Sequence, residues 1–325
     1  MTPTVSIIIP AYQTADLIGE TLASVARQTR TDLEVIIIDD GSTDDLCGAV
    51  APFLGDGRFA LHHYANGGPQ IARNHGIALA RGRYLAFVDS DDLMEPTYLE
   101  EMLAAFDRTP GCIVACCDAT TFGVPEREGR RLSEFEPMEG EPTLINVLSG
   151  RFLIYYGTTM LTEAVRGVGG FSEEMPAAED FDLWIRLLMT GGRFVYLGKP
   201  LARYRRRAGS LSNTPIKLHL GRAQAYLRAI GGLRGQPAEA AICRRKLGET
   251  VGLMAAYEGE RALLRGDVAF ARECLHEAAR QGVLSPRWSL LRRLANVAPS
   301  LAVRLVERRE ARLTPLARLA TSATS

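Results

Sequence analysis

The amino-acid sequence predicts an α/β protein in which a mostly parallel central sheet carries helices on both faces. One observation is a series of short, mostly apolar runs in the first part of the chain, of which residues 5–9 and 34–38 are the most regular. Runs of this length are typical of strands that are covered on both sides. The other observation is that helical patterns lie between the runs, which favours parallel strands joined by crossover helices.

The individual elements of the first half follow from this pattern. Five segments are predicted to be strands: residues 5–9, 34–38, 59–63, 84–88 and 113–117. Helices are predicted between them where apolar residues recur every three or four positions, as at Ile18, Leu22 and Val25. The carboxyl ends of the strands are expected along one edge of the sheet, where ligands of such folds bind.

The second half has a less regular pattern. Residues 123–141 are charged and predict a mobile loop, and residues 152–161 predict another strand. A glycine-rich turn at residues 167–171 precedes the clearest helix of this half, at residues 179–188.

The composition of the last third changes to alanine, leucine, glutamate and arginine. Residues 249–264 and 267–280 predict two helices joined at Gly266. We therefore predict a principal domain over residues 1–212 and a helical C-terminal region over residues 213–325.

Composition and charge exclude several classes of protein. Lysine and arginine number 38 and balance 38 aspartates and glutamates, so the net charge gives no reason to expect nucleic acid as a partner. Six cysteines without paired metal spacing do not indicate a disulfide framework in a chain of this length. No apolar run approaches the roughly 18 residues of a membrane span. The sequence predicts a soluble protein of a reducing, cytoplasmic compartment.

The C-terminal stretch is locally basic, with eight arginines against two glutamates from Pro286 onward. Such a stretch is either an ordinary solvated helix or a peripheral contact with an anionic membrane surface, here the inner membrane face. The sequence leaves both interpretations open.

A cluster of acids at the end of the predicted strand at residues 84–88 is the first candidate site. Asp89, Asp91 and Asp92 lie within four positions, and they repel one another unless a cation is near. A hard divalent ion that takes oxygen ligands is one reason to gather them. A polar turn that caps the next helix is the other.

Charged residues elsewhere allow two interpretations each. Asp39 and Asp40 can accept hydrogen bonds from a base or ribose, or can form a turn with helix-capping acids. Arg73 can contact phosphate or remain a solvated charge. Asp180, beside Glu179, can accept the proton of an attacking sugar hydroxyl or can simply favour a helix start.

Taken together, these segments resemble the family 2 inverting glycosyltransferases of the GT-A fold. The matching segments, in the order of the family's motifs, are residues 5–12, 35–44, 66–74, 82–92, 169–171 and 179–187. The resemblance implies a hexosyltransferase-like, inverting enzyme with a nucleotide-diphospho-sugar donor, such as a UDP- or dTDP-sugar. It implies a sugar or lipid-linked acceptor and a role in the synthesis of a cell-surface polysaccharide or glycoconjugate.

The resemblance also implies roles for single residues. Donor binding is implied for Pro10, Tyr12, Asp39, Asp40, Arg73, Asp89, Ser90 and Arg207. In the family's Asp-x-Asp motif, Asp91 is implied to ligate Mg²⁺ or Mn²⁺, with Asp89 beside it. Asp180 is implied to be the general base, and Trp184 is implied to face the acceptor.

One segment departs from the family pattern. Where many relatives read Tyr-Arg-x-His-Pro-Gly-Ser, this chain has Arg207 and Ala208 in place of the histidine and proline. An arginine can pair with phosphate but has no lone pair to give a metal. A histidine ligand is therefore not expected here.

Two other functions share parts of this pattern. Sugar nucleotidyltransferases have a similar nucleotide site, but they carry a glycine-rich arginine loop where this chain has residues 10–14. A non-catalytic nucleotide-sugar-binding protein could keep the fold, although the presence of both Asp91 and Asp180 favours turnover.

Overall fold

The computed structural model describes residues 2–155, 157–207 and 215–309. These residues form two compact units. The first contains the chain up to Met175 together with Glu179–Arg207, and the second contains Pro176–Ala178 and the residues that follow Arg207. The predicted boundary between residues 212 and 213 lies outside the described residues.

Within the described residues, the first unit contains a sheet of eight strands. They are β1 (Val5–Ala11), β2 (Leu33–Asp39), β3 (Phe59–His63), β4 (Tyr84–Phe87), β5 (Leu93–Met94), β6 (Cys112–Phe122), β7 (Thr158–Leu161) and β8 (Arg193–Arg205). Their order is β3-β2-β1-β4-β7-β6-β8-β5. Only β5 and β7 run against the other strands. The predicted, mostly parallel sheet is confirmed.

Helices cover both faces of this sheet. They are α1 (Ile18–Ala26), α2 (Leu46–Val50), α3 (Pro69–Leu79), α4 (Tyr98–Arg108), α5 (Leu144–Ser149), α6 (Thr162–Gly167) and α7 (Glu179–Met189). Every residue of β1 is buried, and successive strand side chains point to opposite faces. Ile7 and Ile9 share a core with Leu22 of α1. Ile8 lies against Gly76 of α3, where an added Cβ would come within 2.4 Å of it. Burying each isoleucine stabilises the fold by about 1.5–3 kcal/mol.

The second half of the sheet differs from the prediction. The strand predicted at residues 152–161 is shorter, since β7 begins at Thr158 and Phe152 makes a single bridge with Met138. β8 has no counterpart in the prediction, because a Gly-Lys-Pro triplet interrupts its apolar pattern.

The irregular segment at residues 123–141 is anchored to β6. Ser133 donates its N–H and its hydroxyl to the buried Asp118 at 3.2 and 2.6 Å. Thr120 forms a bridge with Arg131. The segment is irregular as predicted, but these hydrogen bonds replace the predicted mobile loop with one that is held to the sheet.

The second unit is helical, as predicted. Its helices are α8 (Pro215–Gly232), α9 (Pro237–Leu264), α10 (Val268–Arg280) and α11 (Pro286–Val297), and residues 299–309 are also helical. Leu263, Leu275 and Trp288 are buried together in its core. An open pocket of about 400 Å³ lies between α10 and α11, and none of the predicted site residues lines it. In the described ranges, we find no helix that is long and apolar enough to cross a membrane.

Candidate functional site

The sheet brings three predicted site segments together. β1 lies between β2 and β4, and the three strands are parallel. At their carboxyl ends, the Asp40 N–H donates to the Ala11 carbonyl at 2.9 Å, and the Val88 N–H donates to the Ile8 carbonyl at 3.3 Å. The polar residues that follow these strands are therefore neighbours.

Both aspartates after β2 are buried and fixed by hydrogen bonds. Asp39 accepts from the Ser42 N–H at 2.8 Å and lies 2.9 Å from His63 Nδ1. Burial disfavours the charge of Asp39, but these hydrogen bonds outweigh it and hold the pKa of Asp39 below its usual range. Asp40 accepts from two glycine N–H groups of the Gly-Gly-Pro loop at 2.8 and 2.9 Å. Both carboxylates shape turns, and their contact with a nucleotide stays a prediction.

Three further residues predicted to bind the donor differ in accessibility. Tyr12 is 50% exposed just beyond β1, whereas Pro10 is a buried strand residue. Ser90 is buried as well. Its side chain lies 3.0 Å from the Thr14 hydroxyl, and its carbonyl accepts from the Thr21 hydroxyl at 3.0 Å. Of these three residues, Tyr12 has the side chain that is open to a ligand.

Each of the three acids after β4 has its own partner. Asp89 pairs with Arg73 at 2.9 Å, and Asp91 pairs with Arg207 at 2.9 Å. Asp92 accepts from a buried tyrosine hydroxyl and from a backbone N–H, both at 2.8 Å. These groups of the chain reduce the repulsion expected among the acids but do not remove it.

Asp92 has a structural role. It accepts from the Tyr155 hydroxyl and the Arg205 N–H. Burial, and then the charges of Asp89 and Asp91, raise the pKa of Asp92 well above its usual range. The Arg205 side chain also donates to the Asp91 carbonyl at 2.8 Å. Tyr155 has no signal in the sequence, and Arg205 stands out only as part of a basic run.

Arg73 joins the acid cluster to the start of α7. Its Nη2 lies 2.9 Å from Asp89 Oδ1, and its Nη1 lies 2.6 Å from Glu179 Oε1. The side chain is 7% exposed, and the guanidinium lies 5.5 Å from the centroid of the Phe171 ring. Because both amino groups pair with carboxylates, Arg73 acts as a bridge here, and its contact with the nucleotide stays a prediction.

Asp180 follows Glu179 in the first turn of α7 and is half-buried. It accepts from the Phe181 N–H at 2.7 Å. Ala178, just before the helix, has a left-handed backbone with φ of 57°, which non-glycine residues seldom adopt. Strain of this kind clusters at functional sites. The position is compatible with a base, and that role stays a prediction.

Trp184 lies in the core, and the prediction that it faces an acceptor is wrong. Its side chain is 2% exposed. Its ring meets Phe194 of β8 edge-on, with the centroids 6.3 Å apart. The tryptophan therefore packs α7 against the sheet.

The acid cluster fits a divalent cation held by one or two carboxylates. In the part of the chain that the structure describes, no group of three or more His, Cys, Asp or Glu side chains is arranged as a metal site. Water and phosphate would have to complete the shell. Burial and the Asp89 charge raise the pKa of Asp91 despite the nearby Arg207, so this carboxylate would gain from a further cation. The side chain of Asp89 is 36% exposed and can contribute its second oxygen.

The fold is that of the GT-A glycosyltransferases. A crystal structure of S. aureus TarS residues 1–349, in complex with UDP-GlcNAc, gives a TM-score of 0.62 at 20% identity and covers 95% of this chain and 92% of that one. The mannosyltransferase PcManGT from Pyrobaculum calidifontis, in complex with GDP-Man and Mn²⁺, gives a TM-score of 0.57 at 19% identity, over 94% and 87% of the two chains.

The sequence comparisons agree with the fold. Residues 6–164 match glycosyl transferase family 2, and this match supports a glycosyltransferase of that family. The uncharacterized glycosyltransferase EpsJ of Bacillus subtilis (strain 168) is 32% identical over 227 residues, which is 67% of this chain and 65% of that protein. Chondroitin synthase of Pasteurella multocida (strain Pm70) is 31% identical over 201 residues, 61% of this chain and 20% of that protein. The chain thus spans less than two thirds of the length of these relatives.

Proposed function

We propose that this chain is an inverting glycosyltransferase that moves a sugar from a nucleotide-diphospho-sugar to an acceptor hydroxyl in a single displacement. The Arg73 bridge carries the proposal. It ties Asp89 of the acid cluster to Glu179, the neighbour of Asp180. One buried residue thereby links the side proposed for the donor to the side proposed for the base.

In the proposed reaction, Asp180 accepts the proton of the acceptor hydroxyl while its oxygen attacks the anomeric carbon. The bond from that carbon to the diphosphate breaks as the new bond forms, and the nucleoside diphosphate leaves with the electron pair. Attack from the opposite face inverts the configuration. Asp91 and Asp89 would hold Mg²⁺ or Mn²⁺, which supplies positive charge for the leaving diphosphate when bound. Arg207 would pair with a phosphate oxygen.

The donor is proposed to be a UDP- or dTDP-sugar, and the acceptor a sugar or a lipid-linked sugar. Tyr12, exposed beside the strand ends, offers an aromatic face to a base. The TarS structure is a complex with UDP-GlcNAc, and the PcManGT structure is a complex with GDP-Man and Mn²⁺. Similarity to a chondroitin synthase supports polysaccharide or glycoconjugate synthesis. The family match favours this reaction over sugar nucleotidyl transfer.

A donor panel tests the proposal. The purified chain is mixed with UDP-, dTDP- and GDP-sugars, with and without Mn²⁺, and its thermal midpoint is measured, since a tight ligand raises apparent stability. We expect one donor to stabilise the chain in a metal-dependent way and to release nucleoside diphosphate when an acceptor is added. Binding of no donor would contradict the proposal. A donor that binds but releases no nucleoside diphosphate with any acceptor would favour a non-catalytic binding protein.

We also propose that the basic C-terminal stretch contacts an anionic membrane surface from the cytoplasmic side. Leu290, Arg293 and Val297 are exposed on α11 and share one face by their three- and four-residue spacing. Val297 is 80% exposed. Arg304 and Arg308 are exposed on the helical segment that follows. Apolar side chains among arginines suit a headgroup layer of anionic lipid.

A further inference from the structure

The two arginines that neutralise the acid cluster differ in how firmly they are held. Arg73 is 7% exposed and pairs with both Asp89 and Glu179. Arg207 Nε lies 2.9 Å from Asp91 Oδ2, and the Arg207 side chain is 43% exposed. Removing a buried arginine from two carboxylates leaves uncompensated charges inside the protein. An arginine on the solvent side of an ion pair is partly screened by water, so it can exchange its partner.

The loop that carries Asp91 is fixed independently of Arg207. The Asp91 carbonyl accepts from Arg205 Nε at 2.8 Å. The next residue, Asp92, is buried and accepts from the Arg205 N–H and the Tyr155 hydroxyl. The carboxylate of Asp91 is therefore expected to stay in place when its arginine partner leaves.

We propose that Arg207 is an exchangeable counter-ion of Asp91. In the absence of metal, the Arg207 guanidinium pairs with the Asp91 carboxylate, and when a divalent cation binds there, the guanidinium moves to the diphosphate of the donor. A guanidinium at Asp91 Oδ2 repels a second cation and has no lone pair with which to join its shell. The displaced guanidinium of Arg207 would then pair with a phosphate oxygen of the donor. This inference rests on the proposed function and adds to it a competition between a side chain and the metal.

Mn²⁺ binding without nucleotide tests the exchange directly. Free Mn²⁺ is measured by electron paramagnetic resonance during titration of the wild-type chain, Arg207→Ala and the matched control Arg206→Ala. The control is chosen because the guanidinium of Arg206 lies over the Tyr204 ring at 5.5 Å. We expect Arg207→Ala to bind Mn²⁺ about threefold to tenfold more tightly than the wild type, and Arg206→Ala to bind as the wild type does.

Two further variants sharpen the result. Asp91→Asn in the Arg207→Ala background should remove the gain, because the metal would lose its carboxylate. Arg207→His should bind more tightly than Arg207→Ala at pH 8, where a neutral imidazole can ligate the ion. For UDP in the presence of Mn²⁺, the ranking of the wild type and Arg207→Ala should be the opposite of that for Mn²⁺ alone. Arg207→Ala should bind UDP several-fold more weakly than the wild type, because the diphosphate loses its arginine.

The outcomes separate this inference from the proposed function. Equal Mn²⁺ affinity of the wild type and Arg207→Ala would overturn the exchange, and so would a gain that survives Asp91→Asn. If no variant binds Mn²⁺ and transfer continues in chelator, the exchange is overturned while sugar transfer stands. If Arg207→Ala gains Mn²⁺ affinity but no donor is ever consumed, the proposed function fails and the exchange stands.

Discussion

At the scale of single residues, neighbouring acids acquire different properties from their surroundings. One oxygen of Asp89 is held by a buried arginine, and Asp91 faces an exposed one. Asp92 is buried, and its raised pKa reflects the loss of solvent. These contacts, rather than the spacing of the acids, are the reason for proposing Asp91 as the cation-binding carboxylate.

Replacing Asp180 tests the proposed base. Asp180→Asn should bind donor and metal normally but lower kcat by about 10²–10⁴-fold, since a positioned base contributes that much. Steady-state kinetics and donor affinity are measured together. The control is Asp107→Asn, an exposed acid near the end of α4, which should leave kcat unchanged. Turnover of Asp180→Asn within threefold of the wild type would remove Asp180 from the mechanism.

At the scale of secondary-structure elements, charged side chains connect segments that are distant in the sequence. Arg73 on α3 reaches the end of β4 and the start of α7. Glu34 on β2 accepts from the Ser6 hydroxyl of β1 at 2.6 Å and from the Arg81 N–H at 2.7 Å. These contacts fix the elements that position the site.

Arg73→Ala should lower the free energy of unfolding by about 2–4 kcal/mol, because two partly buried carboxylates lose their cation. It should also lower kcat, because the start of α7 is no longer tied to β4. The matched control is Arg30→Ala, whose side chain is 41% exposed and pairs with the similarly exposed Asp32; it should cost at most about 1 kcal/mol. Urea unfolding measures both variants, and equal losses would contradict the bridging role.

Glu34 predicts a pH dependence of stability. Burial opposes its charge, but hydrogen bonds from Ser6 and Arg81 outweigh it, so the pKa of Glu34 is lowered on folding. A lowered pKa gives stability that is present above the unfolded value of about 4.3 and is lost as pH falls through the folded value.

Glu34→Gln is expected to cost about 1–3 kcal/mol at pH 7. The difference from the wild type should shrink as the pH falls below about 4. Urea unfolding at several pH values measures this difference in stability. The control is Asp56→Asn, which should have a small effect because the Asp56 side chain, paired with Arg58, is 40% exposed. A difference that does not change with pH would rule out ionised Glu34 as the source.

At the scale of the whole molecule, the parts that could be predicted are those with a local signal. The apolar run of β1 and the acids that open α7 are readable because periodicity and composition are local properties. The pairing of Arg73 with Glu179, 106 positions away, depends on tertiary structure. The orientation of Trp184 could not be predicted for the same reason, since it depends on packing against Phe194.

Membrane contact is a prediction for the whole chain. We expect it to float with vesicles that contain anionic phospholipid and not with neutral ones, and the bound fraction to fall with salt. Val297→Asp and Arg293→Glu should each lower the bound fraction by about half or more. The control is Leu227→Asp, an exposed leucine of α8 at 56%. Binding that is equal in all variants would assign the basic stretch to an ordinary solvated helix.

The anomeric configuration of the first product tests the central claim most directly. With a donor of known configuration and its acceptor, proton NMR of the reaction mixture records the coupling constant of the newly formed anomeric proton. A single displacement assisted by Asp180 predicts that the first detectable product has the configuration opposite to that of the donor. A first product with the configuration of the donor would contradict the mechanism proposed for this site.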